Sequence, residues 1–240
     1  MRANQKGFTL AELMIATGIF SLILLLCSTS VIIIGRQFHK TSVSITTQEG
    51  SRNIMEEISR QVQLAAVAPS RTLVSSYDYG SSVPMYAFCI GTVRFSYAVG
   101  WQVENTLDIA RHQILHGIWR DTIPNENVCV PANLTIANPT TSGSFVVGAV
   151  TYNANGITGT GRELMPRHMR LKTDIYPTAA PATVGSGLWN INVSVIYGDD
   201  DVLIIPLGDV TNITGCIGTN SGGIFCALSE LHTAVYRRYN

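Results

Sequence analysis

A chain of 240 residues with 16 basic and 16 acidic side chains has no bulk charge to recruit nucleic acid or an acidic surface. Hydrophobic residues at 46% exclude a disordered chain, and much of the apolar excess lies in the first 35 positions. The length accommodates one large domain or two small ones.

The first predicted element is an apolar helix. From Leu13 to Ile34, 22 residues carry no formal charge. At ~1.5 Å per residue they cover a hydrocarbon layer of ~30 Å. A secretory signal has an apolar region of only ~7–15 residues. This segment is longer, and it runs into Arg36 and Lys40 without a small-residue cleavage site. Leu24, Leu25 and Leu26 precede Cys27, which does not suit a lipid-modified cysteine. A membrane-spanning helix is the reading that remains. It contains one carboxylate, Glu12, near its start. The helix dipole favours an acid there only modestly. Either Glu12 snorkels to the interface or it meets a specific cationic partner.

The stretch Lys6-Gly7-Phe8-Thr9-Leu10-Ala11-Glu12 follows a short basic leader and precedes the apolar helix. In that context it resembles the processing site of type IV prepilins and related pseudopilins. The resemblance implies a cytoplasmic leader, residues 1–7, removed by a membrane aspartyl peptidase that cuts after Gly7. The same enzyme N-methylates the new terminal residue, Phe8. The resemblance also gives Glu12, fifth in the mature chain, a role as docking partner for the Phe8 amine of a neighbouring subunit. A charge pair of this kind in a low-dielectric bundle sets axial register as much as it stabilises.

The helix is expected to continue beyond the membrane. No proline occurs between Phe8 and Ala68, and Pro69 supplies the stop. Ile54, Ile58, Val62 and Ala65 recur at helical spacing, with Glu56, Glu57, Arg60, Gln61 and Gln63 on the other sides. A single helix of ~60 residues results, about 90 Å long. Gly35, Gly50 and the β-branched run Thr41–Thr47 are its expected weak points. Residues 8–35 would form the transmembrane and filament-core segment, and 36–68 an amphipathic continuation.

Past Pro69 the pattern turns to strands. Val93–Tyr97, His112–Trp119, Phe145–Tyr152, Met169–Tyr176 and Trp189–Tyr197 are candidates. Gly198-Asp199-Asp200-Asp201 reads as a turn leading into Val202–Leu207, closing a hairpin. Asn138–Ser144 and Asn153–Gly161 read as loops. The expected architecture is α+β and type IV pilin-like, with residues 69–240 forming one β-rich head whose antiparallel sheet covers the outer half of the helix.

Cys27 in the apolar helix reads as a small apolar filler. Cys89, Cys129, Cys216 and Cys226 lie beyond it, and four cysteines allow three connectivities. Cys216 and Cys226 flank the Gly-rich IGTNSGGIF, which favours their pairing and leaves Cys89 with Cys129. Such a terminal loop also resembles the variable C-terminal region of many pilins. C-x₂-C spacing is absent, so no metal site is expected. The Asp199–Asp201 run lacks EF-hand ligand spacing and reads as a solvated turn, with calcium as the rival. No catalytic motif and no cofactor signature is found. In a strand, His168, Arg170 and Lys172 would face one way and make an anion or DNA stripe. The 10 basic and 12 acidic residues after Ala68 do not reinforce it.

The sequence thus points to a non-enzymatic, minor pilin-like subunit that primes, or is incorporated into, a type IV pilus. The alternatives are a J-type pseudopilin of type II secretion, or a competence or adhesion tip subunit that binds DNA or a surface. The implied partners are other pilin or pseudopilin subunits, the prepilin peptidase, an inner-membrane assembly platform and, before assembly, lipid. The implied location is the bacterial inner membrane, single-pass, with a cytoplasmic N-terminus and the head outside, and then the filament.

Overall fold

One helix, α1 (Leu10–Leu64), runs 55 residues without a break, which is ~82 Å at ~1.5 Å per residue. The structure, a computed structural model, describes residues 9–74, 83–123, 129–139, 141–147, 150–157, 161–179, 187–217 and 225–238. Every residue from Thr9 to Ser42 is exposed, and burial begins at Val43. From there Val43, Thr47, Ser51, Ile54, Ile58 and Val62 form a stripe at helical spacing that faces the head. Two of these are polar, and each satisfies itself within the helix. Thr47 Oγ1 donates to the Val43 carbonyl at 2.7 Å, and Ser51 Oγ to the Thr47 carbonyl at 2.8 Å.

The expected weak points do not break the helix. Gly50 is instead a place of close approach to the head. A Cβ there would lie 3.2 Å from Met169 Sδ and from Pro166 Cδ. The helix ends at Leu64, four residues short of Ala68, because Ala65 turns extended and its N–H returns to the Val62 carbonyl.

Fifteen strands follow among the described residues. The first six are β1 (Ser70–Val74), β2 (Met85–Ile90), β3 (Val93–Tyr97), β4 (Gln102–Val103), β5 (Gln113–Ile114) and β6 (Ile118–Thr122). Next come β7 (Thr141–Val147), β8 (Val150–Ile157), β9 (Arg162–Glu163), β10 (Met169–Leu171) and β11 (Thr178–Ala179). The last are β12 (Leu188–Tyr197), β13 (Leu203–Ile204), β14 (Gly215–Cys216) and β15 (Ala227–Tyr236).

They form two principal sheets rather than one. The first has the order β1-β2-β3-β6-β9, and the second is β10-β12-β11 with β15 along the other edge of β12. Pairs β4–β5, β7–β8 and β13–β14 stand apart, and β4–β5 is parallel. The class is α+β, with a long N-terminal helix on antiparallel sheets in a pilin-like arrangement. The main core joins the helix to both sheets: Ile54, Ile58 and Val62 pack with Phe88 and Phe95 of the first and Val193 of the second.

Several strand expectations are corrected. The run from His112 to Trp119 is not one strand. A 3₁₀ turn at Ile109–Arg111 ends on His112 in a left-handed conformation (φ 51°), and β6 starts only at Ile118. The Phe145–Tyr152 run is divided between β7 and β8, which pair antiparallel with Val147 opposite Val150. Residues expected as loops, 141–144 and 153–157, therefore belong to strands. The Met169–Tyr176 strand stops at Leu171. Val202–Leu207 does not pair with β12, because β10, β11 and β15 already occupy both edges of that strand. The segment forms a 3₁₀ turn at Asp200–Val202, and β13 pairs with β14.

An ion cluster locks the helix to the first sheet. The Glu57 side chain, 8% exposed, meets Arg60 at 2.9 Å, Arg120 Nε at 2.9 Å and Arg162 Nη2 at 2.8 Å. Burial alone pushes the Glu57 carboxyl up, but hydrogen bonds from Arg60 and Gln61 and the charges of Arg120 and Arg60 outweigh it. The net pKa lies below the ordinary value of 4.5. A carboxyl depressed in the folded state contributes stability above its unfolded pKa, and that contribution is lost as pH falls through the folded value. The thermal stability of the full chain in detergent is therefore expected to fall below pH 4.5. Glu57→Gln should flatten that acid limb, and an unchanged slope would show that other groups set it.

Candidate processing and assembly site

The start of α1 is built by Thr9. Its backbone is extended (φ −80°, ψ 153°), and its Oγ1 accepts the Glu12 N–H at 3.3 Å. In return Glu12 Oε2 accepts the Thr9 N–H at 2.9 Å and the Thr9 hydroxyl at 3.0 Å. This is a capping box, in which two otherwise unpaired backbone donors are satisfied reciprocally. Thr9 was the partner that sequence reasoning missed, although the T-x-x-E spacing carries the signal. The box aims the Glu12 carboxylate back toward the N-terminus, the side on which Phe8 precedes Thr9 in sequence. Gly7 and Phe8, the expected cleavage and methylation positions, lie outside the described residues.

The segment after Glu12 is apolar all round. Ile15, Phe20, Leu25 and Ile34 are each more than three-fifths exposed, and at ~100° per residue they fall on different sides of the helix. The hydroxyls of Thr17, Ser21, Ser28, Thr29 and Ser30 all donate to carbonyls one turn earlier. No donor among them needs water, which is the condition for lying in lipid. The helix is long and apolar enough to cross a membrane, and none of its apolar stretch is buried within the chain.

Residues 2–28 match the family model of the prokaryotic N-terminal methylation motif. The chain carries the class III signal of type IV pilins. That signal, followed by the apolar helix, fits an inner-membrane-anchored pilin. It supports a precursor of the type IV pilin or pseudopilin type, with other pilin subunits and the prepilin peptidase as the partners it suggests. No curated protein and no solved structure matches the chain.

The head holds two cystine pairs. Cys216 is joined to Cys226 and Cys89 to Cys129, with Cα atoms 5.9 and 5.7 Å apart. In the chain-entropy model, loops of these lengths contribute ~3 and ~4 kcal/mol respectively. Cys27 is unpaired and exposed on the apolar helix.

The expected basic stripe does not form. Arg170 is fully buried, donating to Asp200 Oδ1 at 2.6 Å and to the carbonyls of Gly100 and Gly198 at 3.1 Å. Burial pulls its guanidinium pKa down, against the upward pull of Asp200 and Asp199. Lys172 Nζ lies 2.7 Å from Glu230 and holds that carboxyl below its usual range. His168 lies 2.6 Å from Glu104 and precedes the strand, in a left-handed conformation (φ 61°). The alternation failed because β10 is covered on both faces: Met169, Arg170 and Leu171 are all buried. Arg170, Lys172 and His168 each have an acidic partner, so none is left as a bare anion contact.

The Asp199–Asp201 run divides its charges as well. Asp199 Oδ1 accepts Gln102 Nε2 at 2.6 Å, and Asp200 meets both His112 (2.8 Å) and Arg170. These partners come from distant parts of the chain, and nothing local in the sequence announces them.

Proposed function

We propose that the chain is a minor pilin-like structural subunit, cut after Gly7, methylated on Phe8 and then assembled into a type IV pilus. The observation that carries the reading is the methylation motif placed directly on a helix whose first 33 residues, Leu10 to Ser42, are all exposed. A monomer that leaves so much hydrocarbon uncovered requires lipid before assembly and neighbouring helices afterwards. The capped Glu12 fits the docking role, because its carboxylate is aimed toward the end where cleavage creates an amine. The inner-membrane assembly platform would extract the subunit, and the head would sit outside the membrane. The role is structural, with the head's two disulfides suited to an oxidising compartment.

Sheared filaments from cells that make pili provide the test. The head should be detected in the filament fraction at a small fraction of the major subunit, and only when the prepilin peptidase is active. A chain that stays wholly in the membrane fraction of piliated cells would overturn the assembly reading.

A further inference from the structure

Three side chains from separate parts of the head converge at one place. Glu104 follows β4, His168 precedes β10 and Asp199 follows β12, and each offers one ligand atom within 4.8 Å of the other two. Main-chain bonds hold these segments together. The His168 N–H donates to the Val103 carbonyl at 3.0 Å, and the Gly198 N–H donates to the His168 carbonyl at 3.1 Å. The ligand positions are thus neighbours of bonded residues rather than tips of free loops. His168 is also one of two described non-glycine residues with positive φ, and its Nδ1 lies 2.6 Å from Glu104.

Glu104 and Asp199 bring two carboxylates to the cluster. The buried cation Arg170 hydrogen-bonds Asp200 and two carbonyls. Asp199 is oriented from behind by Gln102 Nε2 at 2.6 Å, as the outer partner of a metal-binding carboxylate usually is. Asp199 and Gln102 also line an open cleft of about 420 Å³, and His168 and Asp199 are themselves exposed.

We propose that Glu104, His168 and Asp199 form a binding site for a first-row transition-metal dication of the zinc class. One imidazole and two carboxylates leave a fourth position for water, the pattern of an open tetrahedral site. They also balance a double positive charge. An imidazole ligand favours zinc-like ions over calcium, which takes six to eight oxygens. Bound metal clips the β4–β5 pair to the sheet containing β10 and β12, fixing one side of the head.

The test uses the full chain without a histidine tag, in detergent, after stripping with chelator. Titration calorimetry with zinc chloride should give saturable binding of one ion per chain, and thermal unfolding should shift upward with zinc. Cobalt(II) should give an intense visible spectrum from a low-coordinate site, a readout that needs no variant. His168→Ala and Glu104→Gln should abolish both signals, and Gln102→Ala should weaken binding by about 10–100-fold. His232→Ala, outside the cluster, should leave binding unchanged. Absence of saturable zinc binding by the native chain overturns the proposal. So does binding that survives His168→Ala and Glu104→Gln, or a preference for calcium over zinc.

Discussion

Glu12→Ala is expected to leave the chain in the membrane and to remove it from filaments. Membrane insertion depends on the apolar residues from Leu13 to Ile34, which the substitution does not touch. What is lost is the only carboxylate between Phe8 and Gly35. In the free subunit its visible duty is the capping box with Thr9, and losing that box frays one turn of a 55-residue helix. In the filament the consequence is larger. The α-amino cation of a neighbouring Phe8 would stay in a low-dielectric bundle without a partner, so incorporation should fall by about tenfold or more. Membrane fractionation and filament shearing on the same cells separate the two effects. Normal incorporation of the alanine variant would confine Glu12 to its helix cap. Thr9→Val, which removes the cap's hydroxyl and keeps the carboxylate, should assemble far better than Glu12→Ala.

The second large effect is on stability. Arg94 and Asp121 stand opposite each other on β3 and β6, and both side chains are wholly buried. Arg94 Nε donates to Asp121 Oδ1 at 2.8 Å and Nη2 to Oδ2, while Nη1 holds the Val130 carbonyl at 2.7 Å. Val130 adjoins Cys129, so the same guanidinium fastens the segment that the Cys89–Cys129 bond ties to β2. Asp121→Ala takes a two-point carboxylate partner from that buried guanidinium, which costs ~3–5 kcal/mol. Total stabilities of ~5–15 kcal/mol make this enough to unfold much of the head. Arg94→Met combined with Asp121→Leu removes both charges together and should recover most of the loss. Denaturant unfolding of the full chain in detergent decides the matter. A single variant as stable as the parent would mean that water reaches the pair.

What the sequence revealed depended on whether the partners were local. The helix was legible because its signals are: apolar spacing at Ile54, Ile58 and Val62, an apolar run from Leu13, and no proline before Pro69. Strands β3 and β12 were legible for the same reason, since alternation is a property of one segment. The capping box was equally local and could have been read from Thr9 and Glu12. The failures involve long-range pairing. The run from Phe145 to Tyr152 gives no sign that its halves pair with each other. Nothing near Val202 shows that β10, β11 and β15 have filled both edges of β12. Arg170 read as a surface cation because its partner Asp200 is 30 residues away, and a buried arginine is visible only through its partners. Gly50 read as a weakness because the close approach of Pro166 and Met169 is a tertiary fact.

The account stands most directly on the chemistry at Gly7 and Phe8. Intact-mass and N-terminal peptide analysis of the chain, purified from cells with an active prepilin peptidase, tests it in one measurement. The predicted result is a mature chain that begins at Phe8 and carries one methyl group on its α-amine. An intact Met1 under the same conditions would contradict it, because Glu12 would then have no subunit amine to receive.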